Sequence, residues 1–233
     1  MAKAPPKNLN RFYLLLGLGA ALGVAALAYL VVRPKAVSIP ANVTVLAGDT
    51  TGFRGYVIGS DLAPVEITEY ADFECPACSE FALVQWPSVR DRLIETGQLR
   101  WRYRDWPIDQ LHPYARIAAH AAACANDQGK YWEMHDALFA GQGEWAAPRG
   151  NPTSKFRGYA RDLALNLDEY DQCMQSAMYA GRIQASYDEG SKLGVGSTPT
   201  FLIDGRLYSG VMASDSIRKL VDRLTPAATT PQP

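Results

Sequence analysis

Cys75 and Cys78 stand two residues apart in Asp72-Phe73-Glu74-Cys75-Pro76-Ala77-Cys78. Two thiols at this spacing can close a disulfide and reopen it. The surrounding sequence says which thiol would act first. Val65-Glu66-Ile67-Thr68-Glu69-Tyr70-Ala71 alternates in polarity and predicts a strand before the pair. Residues 79–85 predict the first turns of a helix after it. Pro76 then sits at the first helical position, where its missing N–H costs nothing. A thiol at residue 75 faces the positive end of that helix, which favours the thiolate. Cys78, one turn on, can reach back and resolve a mixed disulfide.

Two other uses of a CxxC compete with this one. Structural zinc needs four ligands, usually in two close pairs. The remaining cysteines, Cys124 and Cys173, stand apart, and His112, His120 and His135 have no ligand spacing. No metal and no cofactor is therefore expected. A structural disulfide is the second alternative. The strand-CxxC-helix context favours redox chemistry over both.

The stretch resembles the active site of the thioredoxin-fold oxidoreductases, in their DsbA-like branch. Gly194-Val195-Gly196-Ser197-Thr198-Pro199-Thr200-Phe201 resembles the family loop that faces the CxxC through a cis-proline. The likeness covers about residues 59–224. It implies an α/β thioredoxin fold with an inserted helical subdomain, and it places Thr198 and Pro199 against the thiols as substrate-binding residues. DsbA-like proteins also carry a glutamate at the place of Glu69. Period two puts Glu69 on one strand face with Val65, Ile67 and Ala71. It is either an edge carboxylate in water or a buried one with a raised pKa that relays a proton to the thiols. Glu74 is expected in solvent, slightly opposing the Cys75 thiolate. The Pro76-Ala77 dipeptide lacks the histidine of strongly oxidising relatives, so the direction of electron flow is left open.

The chain has 233 residues, 48% of them hydrophobic, and a formal net charge of −1. That suffices for one domain with a real core and gives no reason to expect nucleic acid. Residues 1–11 carry Lys3, Lys7 and Arg11, and residues 12–32 carry no charge. At about 1.5 Å per residue such a run just spans a hydrocarbon core. The preceding basic residues place the N-terminus in the cytoplasm and the remainder on the periplasmic or outer side of the inner membrane. A cleaved signal peptide is the rival reading, but Arg33-Pro34-Lys35 directly follows the apolar run where a small-x-small site would stand.

Residues 33–58 are rich in Pro and Gly and predict a tether, with short strands at 43–46 and 56–58. Pro87 should kink or split the helix after Cys78, and Gly97 should cap its end. Residues 99–104 predict a strand with Arg100, Arg102 and Arg104 as a solvated row. Helical periodicity from about 112 to 193 supplies the insert, with the three histidines as surface or packing residues. Cys124 and Cys173 fall in two of its helices and are either free buried thiols or a structural pair. Residues 200–203 and 206–208 predict a hairpin. Residues 212–224 predict a last helix capped by Ser214 or Asp215, and 225–233 a disordered tail.

These features point to a membrane-anchored protein-disulfide oxidoreductase acting on cysteine-containing exported proteins, with a membrane partner resetting the pair. The alternative is a thioredoxin-fold chaperone or binding module whose CxxC is incidental.

Overall fold

Five short strands make one mixed sheet in the computed structural model, which describes residues 7–32, 36–147 and 150–225. The expectations for residues 1–6, Arg33-Pro34-Lys35 and the tail from 226 lie outside the described residues. The chain divides between Ala36 and Val37 into two units. In the first, helix α1 (Lys7–Val32) is, among the described residues, the one helix long and apolar enough to cross a membrane. Its window Arg11–Ala28 has a mean hydropathy of 1.8.

The second unit opens with α2 (Ala47–Thr50), β1 (Tyr56–Ile58) and β2 (Val65–Ala71). A helical run follows: α3 (Pro76–Glu80), a π-helical turn (Phe81–Gln85), α4 (Trp86–Val89) and a second π-helical turn (Arg90–Ile94). Pro87, in the first turn of α4, thus lies in a run broken into alternating turns rather than one bent helix. Gly97, at φ +75°, ends the run and leads into β3 (Leu99–Asp105). Helices α5 (Ala115–Asn126), α6 (Tyr131–Ala140), α7 (Gln142–Trp145), α8 (Thr153–Asp162), α9 (Leu167–Ser176) and α10 (Ala180–Leu193) form the insert. Then come β4 (Thr200–Ile203), β5 (Arg206–Ser209) and α11 (Ser214–Leu224).

The strand order is β1-β3-β2-β4-β5, with β2 and β3 parallel and the other pairs antiparallel. A parallel pair needs a long crossover, and the helical run that starts at Cys75 supplies it. The CxxC segment is therefore part of the connection that the sheet requires. Phe81, Trp86, Val89 and Leu93 of that run bury against Ile67, Trp101 and Phe201, joined by Ile217 and Val221 of α11. A second core joins Phe73 and Tyr103 to the Ala-rich α5 and to α6, α8 and α9. At Gly190 of α10 a Cβ would stand 2.7 Å from Trp106 and 2.8 Å from Tyr70, so only glycine lets α10 approach there.

Three expectations need correction. Residues 37–58 are not a free tether. Val37 and Ile39 are buried, the Asn151 amide donates to the Val37 carbonyl at 2.8 Å, and the Asn42 N–H donates to Gln184 at 3.0 Å. No strand forms at 43–46; the Leu46 N–H instead donates to the Asp49 carboxylate and opens α2. Neither Ser214 nor Asp215 caps α11. The side-chain oxygen of Gln85, from the first π-helical turn, accepts the Ser214 N–H at 2.9 Å.

Candidate active site

Strand β2 delivers the chain to the site and the Asp72 side chain turns it. Its carboxylate accepts the Glu74 N–H at 2.7 Å, and its carbonyl accepts the Cys75 N–H at 3.1 Å. Cys75 is then the extended residue before the helix, with Pro76 first inside it. Across the site the Thr198–Pro199 peptide bond is cis, and the Cys75 thiol donates to the Thr198 carbonyl at 3.4 Å. The two motifs that lie far apart in sequence thus meet, and Pro199 is buried beside them.

The thiols are not equivalent. Cys75 is 7% exposed and Cys78 0%. Cys75 is held down at about 6, chiefly by the hydrogen bond from the Cys78 thiol, with burial opposing and the N–H groups of Cys78 and Ala77 assisting. Cys78 is pushed well above the usual thiol range, first by burial, then by donating to Cys75 and by the negative charges of Cys75 and Glu69. One thiol is held low and keeps a little exposure; the other is fully enclosed and held high.

Glu69 is buried in β2, between Tyr103 of β3 and Phe201 of β4. Trp101 donates its indole N–H to the Glu69 carboxylate at 3.1 Å. Burial nevertheless pushes Glu69 up to about 8, since one hydrogen bond does not offset the lost hydration.

Around the thiols, two expectations are corrected, at Glu74 and His112, and two residues not singled out from the sequence appear, Asp72 and Gln142. Glu74 is buried, not solvated: its carboxylate accepts the N–H groups of Tyr114 at 2.6 Å and Ala147 at 2.7 Å, tying the active loop to the insert. Gln142 donates to the carbonyls of Phe73 and Cys75 at 2.8 and 3.0 Å. His112 is not simply a packing residue, since its Nδ1 lies 2.7 Å from the Asp72 carboxylate, which also accepts the Ile108 N–H. That pairing raises the His112 pKa. The visible signal was Asp72 itself, since an aspartate closing a strand two residues before a turn is a local backbone acceptor. The arginine row is also corrected. Arg104 is buried and bonds Glu189 at 2.5 Å, and Arg102 donates to Thr68 at 2.8 Å. Far from the thiols in sequence, Cys124 of α5 and Cys173 of α9 are joined by a disulfide.

Residues 53–223 match the family model described as Thioredoxin. The Na(+)/H(+) antiporter NhaA 1 of Salinispora arenicola is 40% identical over 157 residues, covering 67% of this chain and 22% of that protein. The chain thus spans under a quarter of the length of this curated relative. Among solved structures, alpha-DsbA1 of Wolbachia pipientis superimposes with a TM-score of 0.66 at 23% identity, over 74% of this chain and 91% of that one. A thioredoxin-like oxidoreductase from Silicibacter pomeroyi DSS-3 does so with a TM-score of 0.62 at 26% identity, over 79% and 100%.

Proposed function

Because the chain belongs to the thioredoxin family and has the fold of the DsbA proteins, we propose that it is a protein-disulfide oxidoreductase working through Cys75 and Cys78. The observation that carries the proposal is the asymmetry of the pair: a low-pKa thiol at the surface end of a helix, backed by a buried, protonated one. An incidental CxxC has no need of that difference.

In the oxidising direction a client thiolate attacks Cys75 of the Cys75–Cys78 disulfide, and Cys78 leaves, taking a proton. A second client thiolate then attacks the client sulfur of the mixed disulfide. Cys75 departs as a thiolate, and the client carries the new disulfide. In the reducing direction Cys75 attacks a client disulfide, and Cys78 resolves by bonding to Cys75 and giving up its proton. Glu69 takes or returns the proton of Cys78. The backbone at Thr198–Pro199 docks an extended client segment beside Cys75.

We place this domain on the outer side of the inner membrane, held by α1, acting on cysteine-containing exported proteins and reset by a membrane redox partner. The apolar length of α1 and the basic residues before it support the anchor. The Cys124–Cys173 disulfide suits an oxidising compartment. The antiporter activity named for the Salinispora relative is not carried over, since the match covers 22% of that protein.

The test is a trap. Cys78→Ala should accumulate mixed disulfides with exported proteins, visible on non-reducing gels and absent when Cys75 is also replaced. A Cys78→Ala protein whose Cys75 still alkylates but captures no client would leave the binding-module reading standing.

A further inference from the structure

A second buried carboxylate lies on the sheet face that carries Glu69. One row of the sheet runs Tyr56, Tyr103, Glu69, Phe201 across β1, β3, β2 and β4. Asp105 stands two residues beyond Tyr103 on the same face of β3, opposite Ala71. Tyr131 of α6 covers this row. Its ring stacks on Tyr56 with centroids 3.7 Å apart and lies 6.1 Å from that of Tyr103.

All four residues are buried, yet the hydroxyls of Tyr103 and Tyr131 and both oxygens of Asp105 have no hydrogen-bond partner in the protein, whereas the Tyr56 hydroxyl is met by the guanidinium of Arg182 from α10. The two guanidinium groups whose charges act on Asp105 are engaged elsewhere: Arg104 with Glu189, and Arg116 of α5 with Asp109 at 2.7 and 2.9 Å. Each leaves one further buried nitrogen, Arg104 Nε and Arg116 Nη1, without a partner. Buried polar groups are almost always hydrogen-bonded, and an unpaired one costs about 1–3 kcal/mol. Internal water, taking about three hydrogen bonds per molecule, is what meets such a group of donors and acceptors.

We propose that Asp105 is the outer proton acceptor of a relay that starts at Cys78, passes through Glu69, and runs through water held by the hydroxyls of Tyr103 and Tyr131. This rests on the thiol–disulfide reading above. When Cys78 resolves a mixed disulfide, its sulfur bonds to Cys75, the departing group leaves as a thiolate, and the Cys78 proton must go inward because Cys78 has no exposed surface. Glu69 takes it and passes it along the hydroxyl and water chain to Asp105. Burial pushes Asp105 up to about 7, with Arg104 and Arg116 opposing and Asp72 assisting. Glu69 stands at about 8. Both carboxyls exchange protons near neutrality. Tyr103 and Tyr131 are pushed well above their ordinary value, so they conduct protons rather than hold the charge.

The experiment uses the reduced full-length protein and an aromatic disulfide, 5,5′-dithiobis(2-nitrobenzoate), followed by stopped flow from about pH 5 to pH 9. The first coloured thiolate reports attack by Cys75, the second resolution by Cys78. The parent should show two inflections in the second phase. Asp105→Asn should remove the lower inflection and cut the ratio of second-phase to first-phase rate by about threefold or more near pH 7. Asp105→Glu should restore both. A purely structural role for Asp105 would move the melting temperature and leave the profile in place. If Asp105→Asn does not fold, the double variant Tyr103→Phe, Tyr131→Phe keeps the rings, removes the hydroxyls and should give the same slowing. A second-phase profile that overlays the parent's in whichever variant folds overturns the relay. A parent that never releases the second thiolate overturns the oxidoreductase reading instead.

Discussion

Cys75 and Cys78 present a reagent with two different targets, and this difference is measurable. Iodoacetamide should alkylate Cys75 with a pH midpoint near 6, well below the ordinary thiol, while Cys78 reacts only when the protein unfolds. Equal rates at the two thiols in the folded protein would remove the assignment of roles. Glu69 makes a separate prediction through stability. Its folded pKa of about 8 lies above its ordinary 4.5, so between those values the folded state binds a proton that the unfolded state does not. Its contribution to stability therefore falls as pH rises across that window, by an amount on the order of a few kcal/mol. Glu69→Gln should flatten that decline and slow the resolving step, with little effect on attack by Cys75. Overlaid pH–stability curves from urea unfolding would make Glu69 a spectator. The burial of Glu69 was one of two readings open from strand periodicity alone. That of Glu74 and Arg104 was not legible, because their partners, Tyr114, Ala147 and Glu189, come from segments 40 or more residues away.

At the scale of elements, the strand and helix pattern was readable where periodicity is local. Residues 65–71, 200–203 and five of the six insert helices follow from their own side chains; the one-turn α7 was not read. What was not readable depends on distant segments. The start of α11 is satisfied by Gln85, so the local candidates Ser214 and Asp215 misled. Gln85→Ala should cost about 1 kcal/mol, as loss of a helix cap does, and Ser214→Ala far less; the reverse ranking in chemical denaturation would restore the local cap. The disulfide that joins α5 to α9 closes a separation of 49 residues. In the chain-entropy model its removal costs roughly 4 kcal/mol. Replacing Cys124 and Cys173 by Ala should lower stability by about that amount while the pH midpoint of Cys75 alkylation stays in place. A shift of that midpoint would show that the staple also shapes the site.

For the whole molecule, the boundary that matters lies at Val37 rather than near Gly59. The Pro and Gly content of 33–58 reads as linker, yet Val37, Ile39 and Tyr56 are buried in the second unit. A chain beginning at Val37 should be soluble, folded and redox-active. One beginning at Gly59 loses those side chains and β1, which covers the edge of β3, and should be less stable by several kcal/mol at about 1.5–3 kcal/mol per buried apolar side chain. Equal melting temperatures for the two would return 37–58 to the status of a tether. The full chain should remain with membranes through carbonate washing, and release of a form beginning after residue 33 would identify a cleaved signal instead. On the proposed thiol–disulfide exchange, the complete enclosure of Cys78 also sets a clock. While a client hangs on Cys75, two exits compete. The client's second thiol can depart with the new disulfide, or Cys78 can return and send the client back unchanged. The return exit opens only after the raised Cys78 thiol hands its proton to a buried carboxylate, whereas the client's thiol ionises in water. The branching ratio therefore leans forward for every client alike, fixed by the depth of one sulfur and requiring no recognition of the client.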